Sequence, residues 1–308
     1  MARPETSPRI ALIGVPYDSG GTAEGTAKAP SVLRRHGLVS KLRTVADVAD
    51  YGDLNIAPSG TARDPSSGLV GERTFLAMLD DVRGVVTQAF AEKRFPVLVG
   101  GDCPILLGGL ASIKAGGRVP GLLFVDGHED AYGPHESPTG ETADMEFGLA
   151  IGDRTDALPS ELAKHFPVVR ARDAVILGAR DAEVIRHDGA RSIQGTVELY
   201  TGAALAAAPT ATVRAALAKM SGDVSLVWLH TDLDVLSTEA LAAVDYHLPG
   251  GLSWAELTEV VGEALSKRQV VGWDITIYNP DLNPGERSAD RIVDYIVAGV
   301  GSCAKVVA

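Results

Sequence analysis

Three short stretches place acidic, imidazole and thiol side chains directly after runs of apolar residues: Gly100-Gly101-Asp102-Cys103, Asp126-Gly127-His128-Glu129-Asp130 and His230-Thr231-Asp232-Leu233-Asp234. Positions i, i+2 and i+4 of an extended segment face one way, so Asp126, His128 and Asp130 can converge on one point, and Asp232 and Asp234 can do the same. Four carboxylates aimed into one small volume cannot all stay ionised without cations among them. Two divalent ions would neutralise the four, and an oxygen-rich set with a single imidazole suits Mn2+ by ligand type. Two such ions ~3.5–4 Å apart can share a hydroxide poised to attack an sp2 carbon, so the chemistry expected is metal-assisted hydrolysis. Taken singly, the pieces have plainer meanings: a Gly-Gly-Asp turn, an Asp-x-Asp helix cap, a hydrogen-bonded core histidine. Their joint occurrence at three strand ends points to a metal site.

Such a site needs strands that finish side by side. Apolar runs predict strands at residues 10–15, 45–51, 95–99, 122–125, 174–179, 225–231 and 270–277, with helices over 30–36, 72–93, 105–115, 181–187, 203–220, 254–267 and 288–298. Alternating strands and helices imply an α/β fold with a parallel sheet covered on both faces. Residues 1–8 are expected to be a disordered start, and residues 58–68 a mobile polar excursion. Residues 131–143, rich in Gly, Pro, Ser and Thr at a strand's carboxyl end, form the expected lid over a ligand. No linker or internal repeat interrupts the chain, so residues 1–308 are expected to form a single domain.

Composition narrows the partners. A net charge of −12 and a pI near 5.0 leave no basic face for nucleic acid or an anionic membrane, and favour a small cationic or neutral substrate. Cys103 and Cys303 cannot build a disulfide framework, no signal-like segment opens the chain, and no apolar run reaches the ~18 residues of a membrane span. A reducing, cytoplasmic setting is expected.

The chain resembles the ureohydrolases, the family of arginase, agmatinase and formiminoglutamase, over nearly its whole length. Besides the three ligand-type stretches, Ile13-Gly14-Val15-Pro16-Tyr17, Asp50-Tyr51-Gly52-Asp53-Leu54, Leu177-Gly178-Ala179-Arg180-Asp181, Pro249-Gly250-Gly251-Leu252-Ser253 and Tyr278-Asn279-Pro280 carry the likeness. The resemblance implies a three-layer α/β/α fold with a mostly parallel eight-stranded sheet and an assembly of identical subunits, a trimer or hexamer. It also implies two Mn2+ ions serving hydrolysis of a linear C–N bond in a guanidino or amidino substrate. By position, Cys103, Asp126, Asp130 and Asp232 would hold one ion and Asp126, His128, Asp232 and Asp234 the other, with Asp126 and Asp232 bridging. Asp130, His128 and Asp232 would serve the reaction. Asp181 and Glu183 fall where arginases recognise the substrate's amino end, and Tyr132, Ser137 and Thr139 on the loop that contacts its carboxylate.

The departures bear on the substrate. Cys103 occupies the place of a family histidine, Ile277 that of a glutamate which grips the guanidinium, and residues 141–146 do not match the lid histidine of arginases. His135 is read as a solvated bystander. With histidine, two dications and four carboxylates sum to about zero; a thiolate makes the first shell about −1 and weakens the Lewis acid. Loss of the glutamate removes a charge-assisted hydrogen bond of roughly 1.5–3 kcal/mol, unless Asp144 or Glu146 compensates. The cysteine suits a substrate with a better leaving group or a less basic nitrogen than arginine, or a softer ion such as Zn2+, and loss of the glutamate likewise points away from arginine. A cysteine at this ligand position also resembles the branch of the family that hydrolyses hydroxyguanidines such as Nω-hydroxyarginine. The alternatives are a formiminoglutamase-type hydrolase and a non-catalytic relative that binds a ligand or partner subunit.

Overall fold

The computed structural model describes residues 7–303, so residues 1–6 of the expected disordered start lie outside the described residues. Eight strands, β1 (Arg9–Val15), β2 (Asp47–Asp53), β3 (Phe95–Gly100), β4 (Pro120–Val125), β5 (Ala174–Gly178), β6 (Glu198–Thr201), β7 (Leu226–Asp232) and β8 (Val270–Thr276), form one sheet in the order β2-β1-β3-β8-β7-β4-β5-β6. Every pairing is parallel. The helices are α1 (Ala29–Arg35), α2 (Leu38–Val45), α3 (Glu72–Ala91), α4 (Ile105–Ala115), α5 (Glu146–Ile151), α6 (Ser160–Ala163), α7 (Ala182–His187), α8 (Gly202–Ala207), α9 (Pro209–Lys219), α10 (Trp254–Leu265) and α11 (Ala289–Ser302).

Successive residues of a strand point to opposite faces, and both faces of this sheet are buried, which explains the unbroken apolar runs. Leu12, Val99, Leu123, Leu229 and Ile275 pack with α1, α2 and α8 to α11 in one core. Ile13, Leu98, Leu122, Phe124 and Trp228 pack with α3 to α6 in the other. The result is the three-layer α/β/α arrangement. Because the strands are parallel, the carboxyl ends of the four central ones, β3, β8, β7 and β4, finish side by side.

Four local expectations change. The strand expected at 45–51 begins at Asp47, because the amphipathic α2, which buries Leu38 and Leu42, continues to Val45. The helix expected over 203–220 divides at Ala208, since Pro209 has no N–H to carry the ladder onward. The edge strand β6 is only half-buried and so lacks an apolar run to announce it. The segment 58–68 is tied down: Arg63 donates to the carbonyls of Gly68, Pro134 and Ser137, bracing it against the expected lid.

Candidate metal centre

A cavity of about 640 Å3 opens where the central strands end. After β4 the chain turns at Gly127, where a Cβ would lie 2.5 Å from the Arg180 guanidinium and 2.9 Å from Asp234 Oδ1, so a larger residue would have to displace both side chains. The Gly127 N–H donates to Asp234 Oδ1 (3.1 Å), the His128 N–H to Asp126 Oδ1 (2.7 Å), and the Asp234 N–H to Asp232 Oδ1 (2.6 Å). His128 Nδ1 lies 2.8 Å from Asp234 Oδ2. From the end of β3, the Cys103 thiol donates to Asp232 Oδ2 at 2.7 Å. Arg180 clamps the turn after β7 by donating to the Asp234 carbonyl at 2.6 Å.

Three overlapping groups place one ligand atom per residue within 4.8 Å of each other: Cys103, Asp126, His230 and Asp232; Asp126, His128 and Asp234; Asp126, Asp130 and Glu146. Asp126 Oδ2, both carboxyl oxygens of Glu146 and Nε2 of His230 are buried with no hydrogen-bond partner. Buried polar atoms are nearly always paired, so this concentration of orphans in one place fits a cluster built for cations.

The electrostatics agree. Burial, then the negative charge of neighbouring acids, pushes Asp130, Asp232 and Glu146 well above the usual carboxylate range. Burial would also raise Asp126, but the imidazoles of His128 and His230 outweigh it and hold that carboxyl low. Burial disfavours charge on His128 and His230, yet Asp234 beside the first and Asp274 beside the second hold both well above an ordinary histidine. Burial and then the Asp232 charge push the Cys103 thiol up. Without cations, the cluster has to keep protons on groups that would normally lose them.

Residues 8–299 match the arginase family. The chain belongs to the arginase family. It is 25% identical over 293 residues to the arginase of Bacillus caldovelox, a match that covers 92% of this chain and 95% of that protein. The structure of a Bacillus caldovelox arginase aligns with a TM-score of 0.79 at 25% identity, over 96% of this chain and 97% of the other. The formimidoylglutamase of Bacillus subtilis shares the fold, with a TM-score of 0.71 at 17% identity over 98% of this chain and 89% of that one. Arginase-family members are hydrolases of C–N bonds in linear amidines and typically depend on two metal ions. No helix among the described residues is long and apolar enough to cross a membrane.

Within this arginase-family fold the six expected ligands are spread over the three groups, but not in the expected sets: Asp130 lies with Asp126 and Glu146 rather than with Cys103 and Asp232, whose fourth partner is His230, and Asp232 is not grouped with His128 and Asp234. His128, Asp130, Asp232 and Asp234 line the cavity, with Cys103 and Asp126 buried behind them. Asp102 lines the cavity but stays out of the ligand groups, accepting from the Ser19 N–H (2.7 Å) and the Thr26 hydroxyl (2.5 Å) and so fastening the loop after β1, and burial raises it to about 7. Glu129 likewise leaves the cluster and accepts from Ser192 and the Ile193 N–H. Asp181 and Tyr132 line the cavity; Asp181 accepts from the Glu129 N–H (2.9 Å), and burial raises it to about 6. Glu183 does not line it: its side chain is 93% exposed, within 3.7 Å of Arg186. Ser137 is buried beneath the loop, where its hydroxyl and that of Thr139 both donate to Asp144. Thr139 also reaches the cavity wall, as do Asp144 and Ile277, whereas His135 does not. Sequence reasoning missed Glu146, His230 and Asp274 as parts of the centre.

Proposed function

We propose that this chain is a divalent-metal-dependent hydrolase of a linear C–N bond in a guanidino- or amidino-type substrate. The carrying observation is the set of buried, unpartnered ligand atoms where three strand-end segments meet. Cys103, Asp126, Asp130 and Asp232 would hold one ion and Asp126, His128, Asp232 and Asp234 the other. When bound, the ions supply a water acidic enough to act as nucleophile near neutral pH and a Lewis acid beside it. The protein's own groups do the rest. Asp130 faces the cavity and is placed to carry a proton from the attacking water to the departing nitrogen. Asp181 and Asp144 give the walls negative charge, no Lys or Arg lines the cavity among the described residues, and a cationic substrate is favoured.

The finer reading is a hydroxyguanidine rather than a plain guanidinium. Ile277, 8% exposed, presents an aliphatic side chain at the cavity wall, where a guanidinium would gain no charged partner. Its φ of +67° is unusual for a β-branched residue and is fixed by a hydrogen bond from its N–H to the Gly101 carbonyl (3.0 Å), so that wall is held in place. Guanidines, hydroxyguanidines and formimino compounds assayed with Mn2+ or Zn2+ across neutral to alkaline pH test both levels. Hydroxyguanidine turnover exceeding that of the parent guanidine, with the preference narrowed by Ile277→Glu, supports the finer reading. Absence of hydrolysis of any of them by metal-loaded protein rejects the reaction class.

A further inference from the structure

We propose that His230 is itself a metal ligand through Nε2, closing a Cys103, Asp126, His230, Asp232 site that selects a softer divalent ion, Zn2+ or Co2+, over Mn2+. The proposal rests on the metal-centre reading above and changes its ligand set and its metal.

His230 is fully buried near the end of β7, in register with Phe124 on β4 and Asp274 on β8. The Phe124 ring stacks on it with centroids 4.6 Å apart, and its Nδ1 lies 2.5 Å from Asp274 Oδ2. The other oxygen of Asp274 accepts from the Trp228 indole N–H. A carboxylate only accepts, so Nδ1 carries a proton toward Asp274, and Nε2 is the nitrogen left to offer a lone pair when a cation takes the place of its own proton. That nitrogen has no hydrogen-bond partner and faces Asp126 Oδ2, also unpartnered, at 3.7 Å. The separation is too long for a hydrogen bond but suits two ligands sharing one ion at ~2.0–2.2 Å from each. A carboxylate holding the far nitrogen of an imidazole is the usual support of a ligating histidine. Sulfur, nitrogen and two oxygens make a softer donor set than the Asp126, His128 and Asp234 group beside it, and a softer set favours Zn2+ or Co2+.

The test is optical and thermodynamic, independent of turnover. Metal-free wild type given one equivalent of Co2+ should show a thiolate charge-transfer band with visible bands of a low-coordinate ion, and Zn2+ should displace Co2+ while Mn2+ does not. His230→Ala should weaken and shift the visible bands and lower Zn2+ affinity about 100-fold while keeping the thiolate band. Asp274→Asn preserves shape: its oxygen remains with Trp228, its amide N–H points at Nδ1, and the ring proton moves to Nε2, so Zn2+ affinity should fall about 10–100-fold even if His230→Ala does not fold. Wild-type spectra and Zn2+ affinity in a folded variant would overturn the proposal and leave His230 as a packing group. If wild type itself took up neither Co2+ nor Zn2+ nor Mn2+, the metal centre as a whole would fail instead.

Discussion

Two buried carboxylates at opposite ends of the sheet behave differently. Asp173, fully buried just before the start of β5, accepts from the Arg170 guanidinium and from the Ser221 N–H (2.8 Å), while Arg170 also grips Asp223 at 2.7 and 2.8 Å. Glu146, equally buried at the start of α5 beside the strand ends, has no hydrogen bond to either oxygen and faces Asp126 and Asp130. The first carboxylate is a finished structural tie. The second is electrostatically incomplete in the protein alone, and the same chain shows at Asp173 that it can supply an arginine where it needs one. The clustered acids at the carboxyl end of the sheet have no lysine or arginine partner among the described residues, a deficit that a bound cation would fill.

Substitutions can break this contrast. Asp232→Ala, which removes an acid shared by both proposed ion sites, should lower hydrolysis per folded molecule by more than about 100-fold in steady-state assays. Its stability loss should be smaller than that of Asp173→Ala, because the orphaned Asp234 N–H and Cys103 thiol are offset by relief of repulsion among the buried acids. Asp173→Ala should do the reverse: about 1–3 kcal/mol of stability lost in urea unfolding, because the Ser221 N–H is orphaned, with activity per folded molecule retained. Glu146→Met, an apolar residue of similar size, should raise the melting temperature of metal-free protein by the equivalent of about 1 kcal/mol or more and weaken metal retention. If Glu146→Met destabilised the metal-free protein as Asp173→Ala does, the two ends would not differ.

The smallest effect sharpens the contrast from the surface. Burial disfavours charge on His36, but hydrogen bonds to Asp290 and Glu286 outweigh it and raise its pKa. The stabilisation is then fully present below the unfolded value of about 6.5 and fades as pH rises through the higher folded one. His36→Gln should cost under about 1 kcal/mol at pH 6 and less as pH rises toward 9, as measured by paired denaturant curves.

Much of the centre was legible because its signal is local. An apolar run followed by acids two residues apart fixes both the strand and the direction of its last side chains, so Asp126, His128, Asp130, Asp232 and Asp234 could be placed together. Long-range partners were not legible. His230 stood in a quoted stretch, but its meaning depends on Asp274, 44 residues away, and on an Nε2 left without a partner. Glu146 lies past the loop expected over 131–143 and stands out in the sequence only as a substitute for the missing glutamate; the α5 turn, with the Phe147 N–H bonded to the Asp130 carbonyl at 3.0 Å, brings it to the acids. Ser137 and Glu183 show the converse: plausible positions whose side chains are spent on Asp144 or turned to solvent.

The account stands most directly on metal stoichiometry. Purified protein should be stripped with chelator, reloaded with Mn2+ or Zn2+, desalted and analysed by inductively coupled plasma mass spectrometry beside Asp232→Ala. The account predicts about two ions per wild-type chain and a clear deficit in the variant. Equal, near-zero metal in both would contradict it.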